Sequence, residues 1–222
     1  MDNYDKDYSE AVFRDCLEAG HRSTSPNNNH AIVRLLCAAD VHPQPIGWLW
    51  DGWLAKGKLH ILAGMAGTCK TTIGMSFAST ISNGGCFPDG SKSPQGSVLI
   101  WSGEDSAADT LVPRLMAAGA NLNNIHFIGD TSTNYAHRSF DPAIDMQLLM
   151  VIAASLPDLA LLIIDPIVNA VAGDSHKNVE VRRALQPVVE FGEKLNCAVL
   201  GISHFNVFMT VSSYCIDDWV DY

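Results

Sequence analysis

The stretch at residues 58–72, KLHILAGMAGTCKTT, leaves few folds open. It joins a short apolar run to a glycine-rich turn and a Lys-Thr-Thr triplet. In the residues that follow, Ile73, Phe77 and Ile81 recur at helical spacing until Gly84 and Gly85. A strand, a tight turn and a helix in that order bring backbone N–H groups and the positive end of a helix together on an anion. The spacing is that of a phosphate-binding loop, which is glycine, four residues, then Gly-Lys-Ser/Thr. Gly64 opens it and Lys70 with Thr71 closes it, but Cys69 stands where the last glycine belongs. The candidate phosphate-holding residues are Gly64, Met65, Ala66, Gly67, Thr68, Cys69, Lys70, Thr71 and Thr72. In such a loop, Lys70 reaches the terminal phosphates of ATP and the Thr71 hydroxyl meets its Mg2+. Cys69 leaves two alternatives open. An ordinary helical backbone accepts a cysteine there, whereas a positive φ or close phosphate contact weakens binding. A thiol beside a lysine at a helix start is also placed for unusual reactivity.

Three later strands end in polar residues. Residues 97–101, SVLIW, form a continuous apolar run of the kind buried on both faces of a parallel sheet, and SGED follows. A carboxylate at the carboxyl end of such a strand faces the crevice where these sheets bind ligands, so Glu104 is a candidate base for an attacking water. The alternative is that Glu104 and Asp105 cap a helix starting near residue 106. LALLIID at residues 159–165 is the clearest central strand. Burying the Asp165 charge without a cation or donors is costly, which makes Asp165 the candidate partner of Thr71 in placing Mg2+. The strand expected at residues 198–202 delivers Ser203 and His204 to the same crevice, with His204 either sensing a γ-phosphate or capping the strand end.

Periodicity predicts helices at residues 7–19 and 31–39, with a loop at 21–30 between them. Further helices are expected at 107–118, with Leu111, Leu115 and Met116 inward, and at 142–155, carrying Ile144, Leu148, Leu149 and Ile152. A helix at 179–195 packs through Val181, Leu185, Val188, Val189 and Leu195, with Pro187 bending it. Residues 124–129 read as a short strand near a sheet edge and 132–139 as a polar loop. Trp48, Trp50 and Trp53 cover a sheet edge or offer a stacking surface to adenine or a partner. His60, interrupting an apolar run, reads as a structural histidine. The organisation is an N-terminal helical extension and linker at 1–45, an ATPase core at 46–206 and a divergent tail at 207–222.

A chain of 222 residues suffices for one well-buried α/β domain with short additions. The formal charge of −10 argues against a surface that holds nucleic acid by phosphate neutralisation alone. The nearest local positive charge is Lys177, Arg182 and Arg183, beside a loop carrying Asp174 and His176; the bland alternative is a solvated helix face. Six cysteines without a CxxC pair fit a reducing cytoplasm. The polar start is no signal peptide, and no apolar run approaches the roughly 20 residues that cross a bilayer. A cytoplasmic protein with no membrane partner is expected.

Taken together, LHILAGMAGTCKTT, SVLIWSGED, LLIIDPIVNAVAGD and CAVLGISHFN resemble the RecA-type P-loop ATPase family, in particular replicative helicases of the RepA kind from plasmids, phages and prophages. The similarity runs from residue 48 to 206 and includes the lead-in WLWDGWLAKGKLH. The resemblance implies an α/β, RecA-like fold with a mostly parallel sheet and helices on both faces. It also implies Lys70 and Thr71 on phosphate and Mg2+, Asp165 supporting Mg2+, Glu104 in catalysis and His204 as γ-phosphate sensor. Ring assembly with ATP between subunits and a DNA-contacting loop belong to the same expectation. Two departures stand out. One is Cys69. The other is that relatives continue beyond the ISHFN block through a lysine, a further helix, strands and an arginine or lysine finger, where this sequence has only residues 207–222. The expectation is therefore a shortened core that binds ATP and hydrolyses it weakly, associating with further copies or with a helicase-like relative. The alternative is a non-catalytic protein that caps or inhibits a full-length relative. An open edge beside the phosphate-loop strand needs shielding by residues 207–214, by residues 48–53 or by dimerisation.

Overall fold

The computed structural model describes residues 33, 35–132, 137–171 and 178–204. The chain divides into two units, Met1–Gln44 and Pro45–Tyr222. In the first, the helix expected at 31–39 is not formed by the described residues, which hold a single 3-10 turn at Ala38–Asp40. The described residues from 35 to 40 are exposed and bury no face that would repay helix nucleation. The helix expected at 7–19 and the loop at 21–30 lie outside the described residues.

The second unit is built on five parallel strands: β3 (Leu59–Gly64), β4 (Ser97–Ser102), β5 (Ile125–Phe127), β8 (Leu159–Asp165) and β9 (Ala198–His204). Their order is β3-β9-β8-β4-β5. The small strands β1 (Trp48–Trp50) and β2 (Leu54–Ala55) form one antiparallel pair, and β6 (Asp130–Ser132) and β7 (His137–Ser139) another. Segment 132–139 is therefore not simply a loop, because its ends pair.

The sheet is covered on both faces, and β8 shows why. Its side chains alternate, so Leu161 and Ile163 enter one core while Leu162 and Ile164 enter the other, all at most 1% exposed. The first core is closed by α1 (Lys70–Asn83) and α2 (Val112–Ala117), the second by α3 (Met146–Ala153) and α4 (Asn178–Leu195). Gly84 ends α1, its N–H returning to the Thr80 and Ile81 carbonyls. The buried face of α1 is Gly74, Met75, Ala78, Ile81 and Ser82, one position round from the expected Ile73, Phe77 and Ile81 stripe. Each fully buried Met or Ile contributes about 1.5–3 kcal/mol. Ile73 is left partly exposed and Phe77 packs at the margin.

Two other helices show a face that differs from expectation. A π turn at Ala107–Leu111 precedes α2 and changes its phase, so Leu111 and Leu115 are buried and Met116 points out. In α3, Met146, Leu149 and Ala153 take the core and Leu148 and Ile152 are exposed, as is Ile144 in the turn before the helix. Gln147 apart, that helix is apolar, so period alone could not choose its inner face. In α4, Val188 and Phe191 are fully buried, with Leu185 and Leu195 packed beside them.

Among the described residues β3 lies at one edge of the sheet, pairing with β9. The β1–β2 hairpin is pinned to it: the Ala55 N–H donates to His60 Nε2 at 2.9 Å, and burial lowers the His60 pKa, favouring the neutral ring that can accept. Trp50 stacks on Phe87 and Trp53 with centroids 4.6 and 5.2 Å apart, meets Phe77 edge-on, and donates from Nε1 to Asp89 at 2.7 Å. Phe77 lies two turns into α1, about 10 Å from its first residue. Trp50 thus packs into the core beside α1, with Trp53 stacked on it and largely exposed. Residues 207–214 lie outside the described residues.

Candidate functional site

The carboxyl ends of β3, β9, β8 and β4 lie side by side. Register places Gly64 beside His204 and Ser102 beside Asp165. Residues 65–69 turn the chain from β3 into α1, whose first N–H groups have no partner within the helix and are free to meet an anion.

Cys69 has φ 60° and ψ 24°, in the left-handed region. Of the two alternatives left by the sequence, the costlier one is realised: the backbone is of the type glycine adopts, with a Cβ attached. For an L-residue that conformation costs about 1–2 kcal/mol. The thiol is exposed, and the Cys69 carbonyl accepts the Ile73 N–H at 2.9 Å as the first bond of α1. The helix start is therefore intact despite the strain.

Gly64 matters for space. A Cβ there would meet Thr68 Oγ1 at 3.0 Å and Lys70 Cδ at 3.5 Å, so the glycine lets the Lys70 side chain cross the turn. Lys70 is 5% exposed, and its Nζ donates to the Gly64 carbonyl at 3.0 Å and the Met65 carbonyl at 2.7 Å. Thr68 Oγ1 also donates to the Met65 carbonyl, at 2.8 Å. The ammonium is thus held within the turn, where an arriving phosphate exchanges neutral carbonyl acceptors for charged oxygens.

Thr71 Oγ1 donates to Asp165 Oδ2 at 2.6 Å, joining the start of α1 to the end of β8. Asp165 is 4% exposed, and its Oδ1 is buried without a hydrogen-bond partner. Burial pushes its carboxyl pKa up, the Thr71 hydroxyl opposes this, and the negative charge of Glu104 adds to the rise. A cation would relieve both penalties. Among the described residues no three His, Cys, Asp or Glu side chains gather into a metal site, so a cation here would draw further oxygens from a ligand and water. That matches Mg2+, which takes one or two protein oxygens together with substrate phosphates.

Glu104 lies across the same crevice. Its Oε2 is 3.5 Å from His204 Nε2, linking the end of β4 to that of β9, and its side chain is 56% exposed. His204 Nδ1 is buried without a hydrogen-bond partner. Asp105 turns the other way, to Arg114 Nη1 at 2.9 Å, and Ser106, at the start of the next turn, makes no side-chain cap bond. The capping alternative for this carboxylate pair is therefore not realised.

Gly103 was not singled out in the sequence. Its N–H donates to the Asp165 carbonyl at 2.8 Å, and a Cβ there would lie 2.8 Å from both Asn169 Nδ2 and Trp101. It sets how closely the Glu104 turn approaches the end of β8. A glycine directly after a buried strand was the available signal. Asp174, His176 and Lys177 lie outside the described residues, while Arg182 and Arg183 are exposed on α4.

A family model described as an AAA domain matches residues 33–207, most of the 222-residue chain. A search of curated proteins finds no match. Among the described residues no helix is long and apolar enough to cross a membrane.

Proposed function

The chain belongs to the AAA-domain family of P-loop ATPase-like proteins, and from that premise we propose that it binds ATP with Mg2+ at the ends of β3, β9, β8 and β4 and hydrolyses it weakly. The observation that carries this reading is the Thr71–Asp165 contact at 2.6 Å with the second Asp165 oxygen buried and unpartnered. A phosphate-loop threonine and a carboxylate strand end so joined are a half-built Mg2+ site, completed by the oxygens of the nucleotide.

Each residue then has one task. The loop from Gly64 to Thr72 wraps the phosphates, and Lys70 leaves the Gly64 and Met65 carbonyls to neutralise them. Thr71 and Asp165 hold Mg2+, which when bound draws charge from the phosphate oxygens. Glu104 orients a water and accepts its proton, and His204 registers the γ-phosphate through its contact with Glu104. Hydrolysis is weak because Glu104 is more than half exposed and tied only at 3.5 Å to His204, so its position is loosely set. The resemblance of these motifs to those of DNA-replication helicases of the RepA kind supports a related role for the chain, with exposed Arg182 and Arg183 as the local basic surface.

A second reading, a non-catalytic chain that associates with a helicase-like relative and inhibits it, is favoured by the strained backbone at Cys69. Phosphate release separates the two. The proposal expects slow Mg2+-dependent turnover that Glu104→Gln lowers by about 100-fold or more, while ATP affinity stays within a few-fold. Turnover unaffected by Glu104→Gln would remove Glu104 from the chemistry. ATP bound without any turnover would favour the second reading.

A further inference from the structure

A cavity of about 600 Å³ opens beside the carboxyl end of β4, among the residues of the second core and on the face of the sheet away from α1. Trp101, Phe140, Pro142 and Val168 form its apolar walls, and Asp141 and Asn169 add polar ones. None of Gly64 to Thr72, Glu104, Asp165 or His204 lines it. Its size suits a small ligand or an inserted side chain. Three polar groups on its walls lack partners among the described residues. Asp141 Oδ1 accepts the Ala143 N–H at 2.9 Å, but its Oδ2 accepts nothing. The Trp101 indole N–H and the Asn169 side-chain amide make no hydrogen bond either. Trp101 is only 8% exposed, and an indole so buried ordinarily finds an acceptor.

We propose that this cavity takes an arginine side chain carried on an extended segment of a partner protein. Charge selects a cation. The walls hold one carboxylate and, among the described residues, no Lys, Arg or His, in a chain of net charge −10. Arg138, on the same segment, is held by both Asp145 oxygens at 2.6 Å, and Asp141 is left without a paired cation. Planarity then favours a guanidinium over an ammonium. It lies flat against aromatic rings and meets a carboxylate through parallel N–H groups. The remaining donors favour a peptide as its carrier. A guanidinium has no acceptor, whereas the Trp101 N–H and Asn169 Nδ2 call for one, and the carbonyls flanking an arginine in a chain supply it. Occupancy also bears on the turn after β4. A Cβ at Gly103 would lie 2.8 Å from both Asn169 Nδ2 and Trp101, so an occupant packed on these two residues fixes the backbone that carries Glu104. A consequence for hydrolysis rests on the nucleotide reading; binding in the cavity does not.

Calorimetry of the full chain without nucleotide tests this, with three probes: acetyl-Gly-Arg-Gly-amide, its lysine counterpart and N-acetyl-argininamide. The arginine peptide should bind with a dissociation constant of about 1 mM or tighter, and the other two about fivefold or more weakly. Asp141→Asn keeps an oxygen for the Ala143 N–H, so it should melt as the wild type does while binding the arginine peptide about tenfold or more weakly. Asn169→Ala, at an exposed side chain, should weaken the peptide about threefold. Exchange of the Gly103 amide should slow when the peptide is added. No binding by the wild type at 10 mM peptide overturns the proposal, on the order of tenfold above the expected constant. Arginine and lysine peptides bound alike, or undiminished binding by Asp141→Asn, would remove the guanidinium contact. N-acetyl-argininamide bound as tightly as the peptide would overturn the protein partner and leave a small-molecule site. Gly103 exchange unchanged at saturation would break the link to the Glu104 turn.

Discussion

Replacing Cys69 by glycine should stabilise the protein, and replacing it by alanine should not. Cys69 holds φ 60° and ψ 24° with its side chain exposed, so the substitution loses no packing. Releasing an L-residue from the left-handed region returns about 1–2 kcal/mol. Glycine gives back about 0.5–1 kcal/mol of that through the greater freedom of the unfolded chain. The net gain is at most about 1.5 kcal/mol, or up to roughly 6 °C in melting temperature for a chain of this size. Alanine keeps the Cβ and the strain, so Cys69→Ala should melt within about a degree of wild type. If the same Cβ crowds the phosphates, Cys69→Gly should also tighten ATP by up to about tenfold, read by calorimetry, whereas Cys69→Ala should not. A gain in Cys69→Ala equal to that in Cys69→Gly would put the effect in the thiol. A drop in melting temperature for Cys69→Gly would refute the strain argument outright.

Trp50→Ala removes a side chain that stacks on Phe87 and Trp53 and should cost about 3–5 kcal/mol, seen as a fall of about 10 °C in thermal melts. Below that melt, ATP affinity should be unchanged, because the cluster lies away from the loop. Asp145 should make the fold acid-sensitive. The Arg138 guanidinium, 2.6 Å from both carboxylate oxygens, holds the Asp145 pKa below its ordinary value, so the stabilisation is fully present above the unfolded pKa and is lost as pH falls through the folded one. Asp145→Asn should therefore melt lower than wild type at pH 7, with the difference shrinking as pH drops below the usual carboxylate range.

The sheet was legible because β8 and β4 are unbroken apolar runs, and only burial on both faces makes such runs sensible. Asp165 was legible for the same reason, as a carboxylate ending a strand that has no other polar residue. The structure does bring Lys70, Thr71, Asp165, Glu104 and His204 to neighbouring strand ends. What the residues could not show was orientation. Met116 moved outward because a π turn shifted the helical phase, and α3 is apolar but for Gln147, so no pattern distinguished its core face. The contacts of Lys70 with the Gly64 and Met65 carbonyls, and the close approach at Gly103, depend on backbone paths that no periodicity encodes. The left-handed backbone at Cys69 decided between two alternatives that the sequence had left open.

The central claim is that residues 64–72 and Asp165 form one ATP–Mg2+ site. An equilibrium titration of ATP with and without Mg2+, on wild type, Lys70→Ala and Asp165→Asn, tests it most directly. The account predicts wild-type binding that strengthens with Mg2+. It also predicts loss of about tenfold or more in Lys70→Ala, where a charge-assisted phosphate contact is gone, and binding in Asp165→Asn that no longer responds to Mg2+. ATP bound equally by wild type and Lys70→Ala, or not bound by wild type at all, would contradict it.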